Sequence, residues 1–230
     1  PARPKFWENF GKFLGRNFVA LTTTFALAAP AVAQDLTSQV LFLGEQHDNA
    51  AHHLRQAELV AELAPRAVVY EMLTPEQAAR VTPELIGDAA ALEATLGWTD
   101  SGWPDFSMYH PIFAAAPDAA VVGAAVPRDR ARQVMSDGIV TAFGDQAARF
   151  GLDQPLPAEQ QEAREALQLA AHCDAMPPEM LPIMVDIQRF RDARLARAAL
   201  DALRTHGAPV VVITGNGHAR IDWGAPAALA

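Results

Sequence analysis

Four apolar runs in the chain each stop abruptly at polar, chemically capable residues. Val40–Gly44 meets Glu45-Gln46-His47, and Ala67–Tyr70 meets Glu71. Ala120–Val126 meets Pro127-Arg128, and Val210–Thr214 meets Gly215-Asn216-Gly217-His218. Short runs rich in β-branched residues, with helix-like segments between them, read as buried parallel strands. The pattern predicts an α/β fold: a central, mostly parallel sheet flanked by helices. In open sheets of this kind the ligand sits beyond the carboxyl ends of the strands. The four polar ends are therefore expected to meet at one site.

Between the strands, Asn49 is placed to cap a helix running to about Ala64 and ended by Pro65. Residues 74–96 read as one or two short helices broken by Pro83 and Gly87. A loop-rich stretch from Gly97 to Pro111 leads into a short helix and the third strand. Residues 128–150 and about 157–172 look helical. Pro177 and Pro178 then open a long helix through about Thr205, closed by Gly207, with Met180, Met184, Ile187, Phe190 and Leu195 on one stripe.

The first 33 residues differ from the rest. Lys5, Lys12 and Arg16 precede an uncharged stretch ending in Ala31-Val32-Ala33, the layout of a secretory signal peptide cleaved before Gln34. The alternative is an interfacial anchor helix carrying Phe6, Trp7, Phe10 and Phe13. Residues 34–230 are expected to form a single domain, with the exported protein soluble and periplasmic. The last motif lies close to Ala230, and a sheet edge left uncovered there would suggest C-terminal truncation. Past the leader the chain carries 14 Lys/Arg against 26 Asp/Glu, which argues against binding nucleic acid through a broad basic surface. Cys173 is the single cysteine, expected to be a buried small side chain. It excludes an internal disulfide and leaves none near the cleavage site for lipid attachment.

Glu45, His47, Glu71 and His218 come from three strand ends. Two imidazoles and two carboxylates suit a divalent metal site, or metal-free acid/base chemistry with a histidine held by a carboxylate. Gly44 and Gly217 are expected to let the backbone approach a ligand closely. His52 and His53 follow on the first helix, about 100° apart, so one of them can face the site. Arg128 is placed to clamp a carboxylate or phosphate. Gln188, Arg191 and Asp192 read as a polar patch on the long helix. Gly97 to Phe113 holds five of the seventeen aromatic residues, either a satellite core or a wall for a flat ligand. Tyr109, His110 and Met108 are each capable of ligating haem iron there, and no Cys-x-x-Cys-His motif exists for covalent attachment.

Six segments taken in order, Gly44-Glu-Gln-His47-Asp-Asn, Tyr70-Glu71-Met72, Pro127-Arg128, His172-Cys173, Gln188-x-x-Arg191-Asp192 and Thr214-Gly-Asn-Gly-His218-Ala-Arg220, resemble the ChaN-like haem-binding proteins. That family sits in a superfamily with the Tiki proteases and erythromycin esterases. The resemblance covers about residues 40–226. It implies non-covalent haem binding in the bacterial envelope, at a homodimer interface, with an envelope haem receptor or transporter as a further partner. It also implies Tyr109 as haem ligand with His52 or His53 in support, and Arg128, His47 and His218 among the haem-contacting residues. The alternative is a metal-dependent hydrolase of an ester or peptide, using Glu45, His47, Glu71 and His218.

Overall fold

The computed structural model describes residues 39–229. The expected leader lies outside them, and among the described residues no helix is long and apolar enough to cross a membrane. Strands β1 (Val40–Glu45), β2 (Ala67–Tyr70), β3 (Ala120–Gly123) and β4 (Val210–Gly215) form one sheet in the order β1-β4-β2-β3. All neighbouring pairs are parallel, with Glu45 opposite Gly215 and Tyr70 opposite Ile213. The α/β architecture read from the apolar runs is the one observed.

The topology explains why three motifs converge. The last strand inserts between the first two, so the carboxyl ends of β1, β4 and β2 stand side by side. Val210, Val211, Val212 and Ile213 have no exposed surface. Burying each stabilises the fold by roughly 1.5–3 kcal/mol before entropy is counted.

Helices cover both faces. Helix α1 (Ala50–Leu63) starts at Asn49, whose side chain accepts from the Ala51 amide at 3.0 Å. It packs with α5 (Phe106–Ala115) over the face that carries Val68, Tyr70, Val211 and Ile213. The opposite face, with Ala67, Val69, Val210 and Val212, meets α9 (Leu181–His206) through Leu195, Ala199 and Ala202. Three short helices follow β2: α2 (Pro75–Ala78), α3 (Pro83–Ile86) and α4 (Ala89–Leu96). Pro83 opens a helix rather than breaking one, because its missing N–H costs nothing in the first turn. Helix α5 begins at Phe106, earlier than the loop expected up to Pro111. Asp105 caps it, accepting from the Ser107 amide at 2.8 Å.

Residues 128–150 divide into α6 (Arg128–Asp137), α7 (Ile139–Phe143) and a 3-10 turn over Ala147–Phe150. Gly138 and Gly144, at φ +81° and +87°, end each piece in a conformation costly for other residues. Helix α8 (Ala158–Ala171) lies against α9 without burying any residue fully. Cys173 is exposed, with φ +54°, in the turn after α8. Its expected burial fails because that turn has no layer above it.

Candidate functional site

Glu45 is the last residue of β1 and only 1% exposed. A carboxylate in such a place needs partners. Oε1 accepts from the Tyr109 hydroxyl at 3.0 Å and from His47 Nδ1 at 2.8 Å. Oε2 faces His53 Nδ1 at 3.2 Å, and neither atom has another partner in the protein. His53 spends its other nitrogen, Nε2, on the His47 carbonyl at 2.9 Å.

This arrangement fixes His47. Its Nδ1–H points at Glu45, which leaves Nε2 as the lone-pair nitrogen, and its side chain is 38% exposed. The ring meets the edge of Trp103 with centroids 4.9 Å apart. The Glu45 hydrogen bond is the main reason the His47 pKa is raised; burial opposes it and the Glu71 charge adds to it.

Glu71 follows β2 and accepts from the Thr214 hydroxyl at 2.6 Å and the Gly215 amide at 2.8 Å. Burial would raise its pKa, but the His218 charge and these bonds outweigh burial and lower it. His218 is 8% exposed. Its Nδ1 donates to Asp192 of α9 at 2.6 Å, and Nε2 lies 3.6 Å from Glu71 Oε1. Burial alone would lower the His218 pKa; the Asp192 bond and the Glu71 charge more than offset it, so it is raised.

The two Gly-x-x-His motifs interlock through their glycines. A Cβ at Gly215 would sit 2.9 Å from His47 Nε2, and one at Gly44 would sit 2.7 Å from Asn216 Oδ1 and 3.0 Å from Ala219 Cβ. Each motif thus clears space for a side chain of the other. The role expected of Gly217 passes to Gly215, since nothing lies within 4 Å of a Cβ at 217.

Glu45, His47, Glu71 and His218 therefore do come together at the strand ends, whereas other expected members stand apart. Tyr109 has no exposed surface and its hydroxyl is given to Glu45. That burial is at odds with its expected role as haem ligand and makes it a support for Glu45. His53 is likewise fully buried. His52 accepts from the Gln46 amide through Nδ1 at 2.9 Å, with Nε2 3.3 Å from the Asn49 amide nitrogen. It braces the turn between β1 and α1. Arg128, exposed at the start of α6, makes no hydrogen bond or ion pair among the described residues. His110 bonds the Ile86 carbonyl at 2.9 Å.

Among the described residues no group of three or more His, Cys, Asp or Glu is arranged to hold a metal ion. Each inner nitrogen of the two histidines is spent on a carboxylate, and Glu71 on backbone and hydroxyl donors. The divalent-metal reading of Glu45, His47, Glu71 and His218 gains nothing from this geometry. Asp192 is the residue that sequence reasoning misplaced. It was read as part of a polar helix patch, and its only signal was the spaced set Gln188-x-x-Arg191-Asp192.

The family model described as haem-binding uptake, Tiki superfamily, ChaN matches residues 31–229. Among solved structures, that of ChaN of Campylobacter jejuni with cofacially bound haem aligns with a TM-score of 0.60 at 23% identity, covering 83% of this chain and 75% of that one. The type III effector HopBA1 aligns at a TM-score of 0.37 and 16% identity, covering 79% of this chain and 68% of that one. No curated protein matches.

Proposed function

The chain belongs to the haem-binding uptake family of the Tiki superfamily, ChaN, and from that membership we propose that it binds haem non-covalently, with His47 as the iron ligand. The observation that carries this reading is the state of the His47 ring. Nδ1–H is held by a buried carboxylate, and Nε2, which lies beside Gly215, is without a hydrogen-bond partner among the described residues on a side chain 38% exposed. Ligating histidines characteristically give their second nitrogen to a carboxylate, which fixes the tautomer and raises ligand basicity. Tyr109 and His53 extend the same chain of support by holding Glu45.

The residues present fit the group. His47 supplies the axial nitrogen, and Trp103 lies edge-on beside it as an apolar wall. Haem brings the redox-active iron; the protein contributes the ligand, its orientation and the dielectric around it. The ChaN of Campylobacter jejuni binds haem cofacially, and a homodimer that brings two such sites face to face is part of the proposal. So is export to the periplasm for haem or iron uptake. It rests on the charged, apolar, small-x-small leader, and an envelope receptor or transporter would then be the downstream partner.

A haemin titration of the mature domain, followed in the Soret band, tests the reading. Saturable binding is expected, with the spectrum changed by His47→Ala and unchanged by Tyr109→Phe. A spectrum that responds to Tyr109→Phe alone would return the ligand to the tyrosine. Absence of saturable binding would end the haem assignment.

A further inference from the structure

A second feature lies on the other side of His218. Helix α8, helix α9 and the loop after β4 enclose a cavity of about 380 Å³. Leu167, Val185 and Trp223 give it an apolar wall, and Arg164, Gln188 and His218 contribute the polar groups used below. Two of those groups have buried atoms without any partner in the protein: Arg164 Nε, a donor, and Gln188 Oε1, an acceptor. Unpaired buried polar atoms are costly, and an anion is what the Arg164 donor lacks, whereas the Gln188 acceptor calls for a donor.

Charge at the cavity is unbalanced in a definite sense. Asp192 is committed to His218 at 2.6 Å, and Arg220 is paired with Asp222 at 2.6 Å. Arg164 gives Nη2 to the Gln160 side chain and the Trp223 carbonyl, each at 3.1 Å, and lies 5.4 Å from the Trp223 ring. Among the described residues no carboxylate lies within ion-pair distance of it. The cavity therefore presents a guanidinium without a contact ion pair, though within the field of Asp192 and Asp222, beside a free side-chain amide and an apolar floor.

We propose that this cavity binds a carboxylate carried on a flat apolar body, with Arg164 as the anion anchor, the Gln188 side-chain N–H as a second donor and Trp223 as the stacking wall. The guanidinium matches the carboxylate in charge and in donor geometry. Two sources share that chemistry: the carboxylate-bearing edge of a porphyrin, and a free small aromatic acid. Neither depends on iron ligation at His47.

Metal-free protoporphyrin IX, its dimethyl ester and 2-naphthoate, titrated by quenching of tryptophan fluorescence, test the site without using iron. The wild type is expected to bind the diacid about tenfold more tightly than the ester, as a charge-assisted bond in a dry site allows. Arg164→Gln should remove that preference while leaving ester binding unchanged. Arg164-dependent binding of 2-naphthoate with none of the porphyrin would also support the site and identify a small acid as its ligand. Equal binding of diacid and ester, binding indifferent to Arg164, or no binding of any probe would overturn it, the cavity then holding only water. Gln188→Leu provides the same comparison should Arg164→Gln fail to fold, and is expected to weaken diacid and naphthoate binding severalfold.

Discussion

His47 and His218 occupy the same place in the same four-residue pattern, and the fold uses them differently. His47 takes its carboxylate from two residues upstream and leaves Nε2, beside Gly215, without a carboxylate partner. His218 takes its carboxylate from α9, 26 residues away in sequence, and both of its nitrogens face protein carboxylates. One imidazole is left half exposed at the rim, whereas the other locks α9 to the end of β4. A repeated motif specifies where a side chain stands relative to its strand. Whether that side chain works on a ligand or on the fold is decided by what packs above it.

The strongest challenge to this contrast is Asp192→Ala. It leaves a buried imidazole without its partner and should cost about 3 kcal/mol in urea unfolding. His47→Ala leaves Glu45 its Tyr109 partner and should cost less, about 1–2 kcal/mol, yet change the haem spectrum. Equal losses of stability would erase the distinction.

Gly215→Ala ranks next. The added methyl meets His47 Nε2 at 2.9 Å within a central strand, so a loss of about 2 kcal/mol and a displaced haem spectrum are expected. Gly44→Ala, whose closest neighbour is the side-chain oxygen of Asn216, should cost about half as much. Both can be read from thermal unfolding.

Tyr109→Phe removes one hydrogen bond from Glu45 and should cost about 1 kcal/mol.

The subtlest test is pH. The folded pKa of His218 lies above its ordinary 6.5, so its contribution to stability is complete just below 6.5 and is lost as pH rises through the folded value. The stability gap between wild type and Asp192→Asn should narrow over that same interval. A gap that widened on the alkaline side would reverse the assigned direction.

Much of the scaffold was legible before folding. The β-branched runs marked the four strands, Asn49 the start of α1, and Gly207 the end of α9, because each is a local preference of the backbone. Glu45, His47, Glu71 and His218 were legible as a set because strand ends in a parallel sheet share one rim. What was not legible has a common physical origin. Whether the Tyr109 phenol faces solvent or the buried Glu45 depends on how α5 packs on α1. Asp192, Arg164 and Trp223 come from separate elements and acquire meaning only when α8 and α9 lie together. The glycine that matters is Gly215 rather than Gly217, because the need for space arises from a side chain on another strand.

The strand order also governs when the site can exist. β4 is the last strand made, and it fills the place between β1 and β2. Until residues 210–215 have emerged, β1 has no hydrogen-bonding neighbour in the sheet and Glu71 lacks both Thr214 and the Gly215 amide. A growing chain therefore carries the β1 motif without the frame that shapes it. Pairings this distant in sequence form late because loop closure is slow and entropically costly. The frame around Glu45 and Glu71 is thus tied to the arrival of β4.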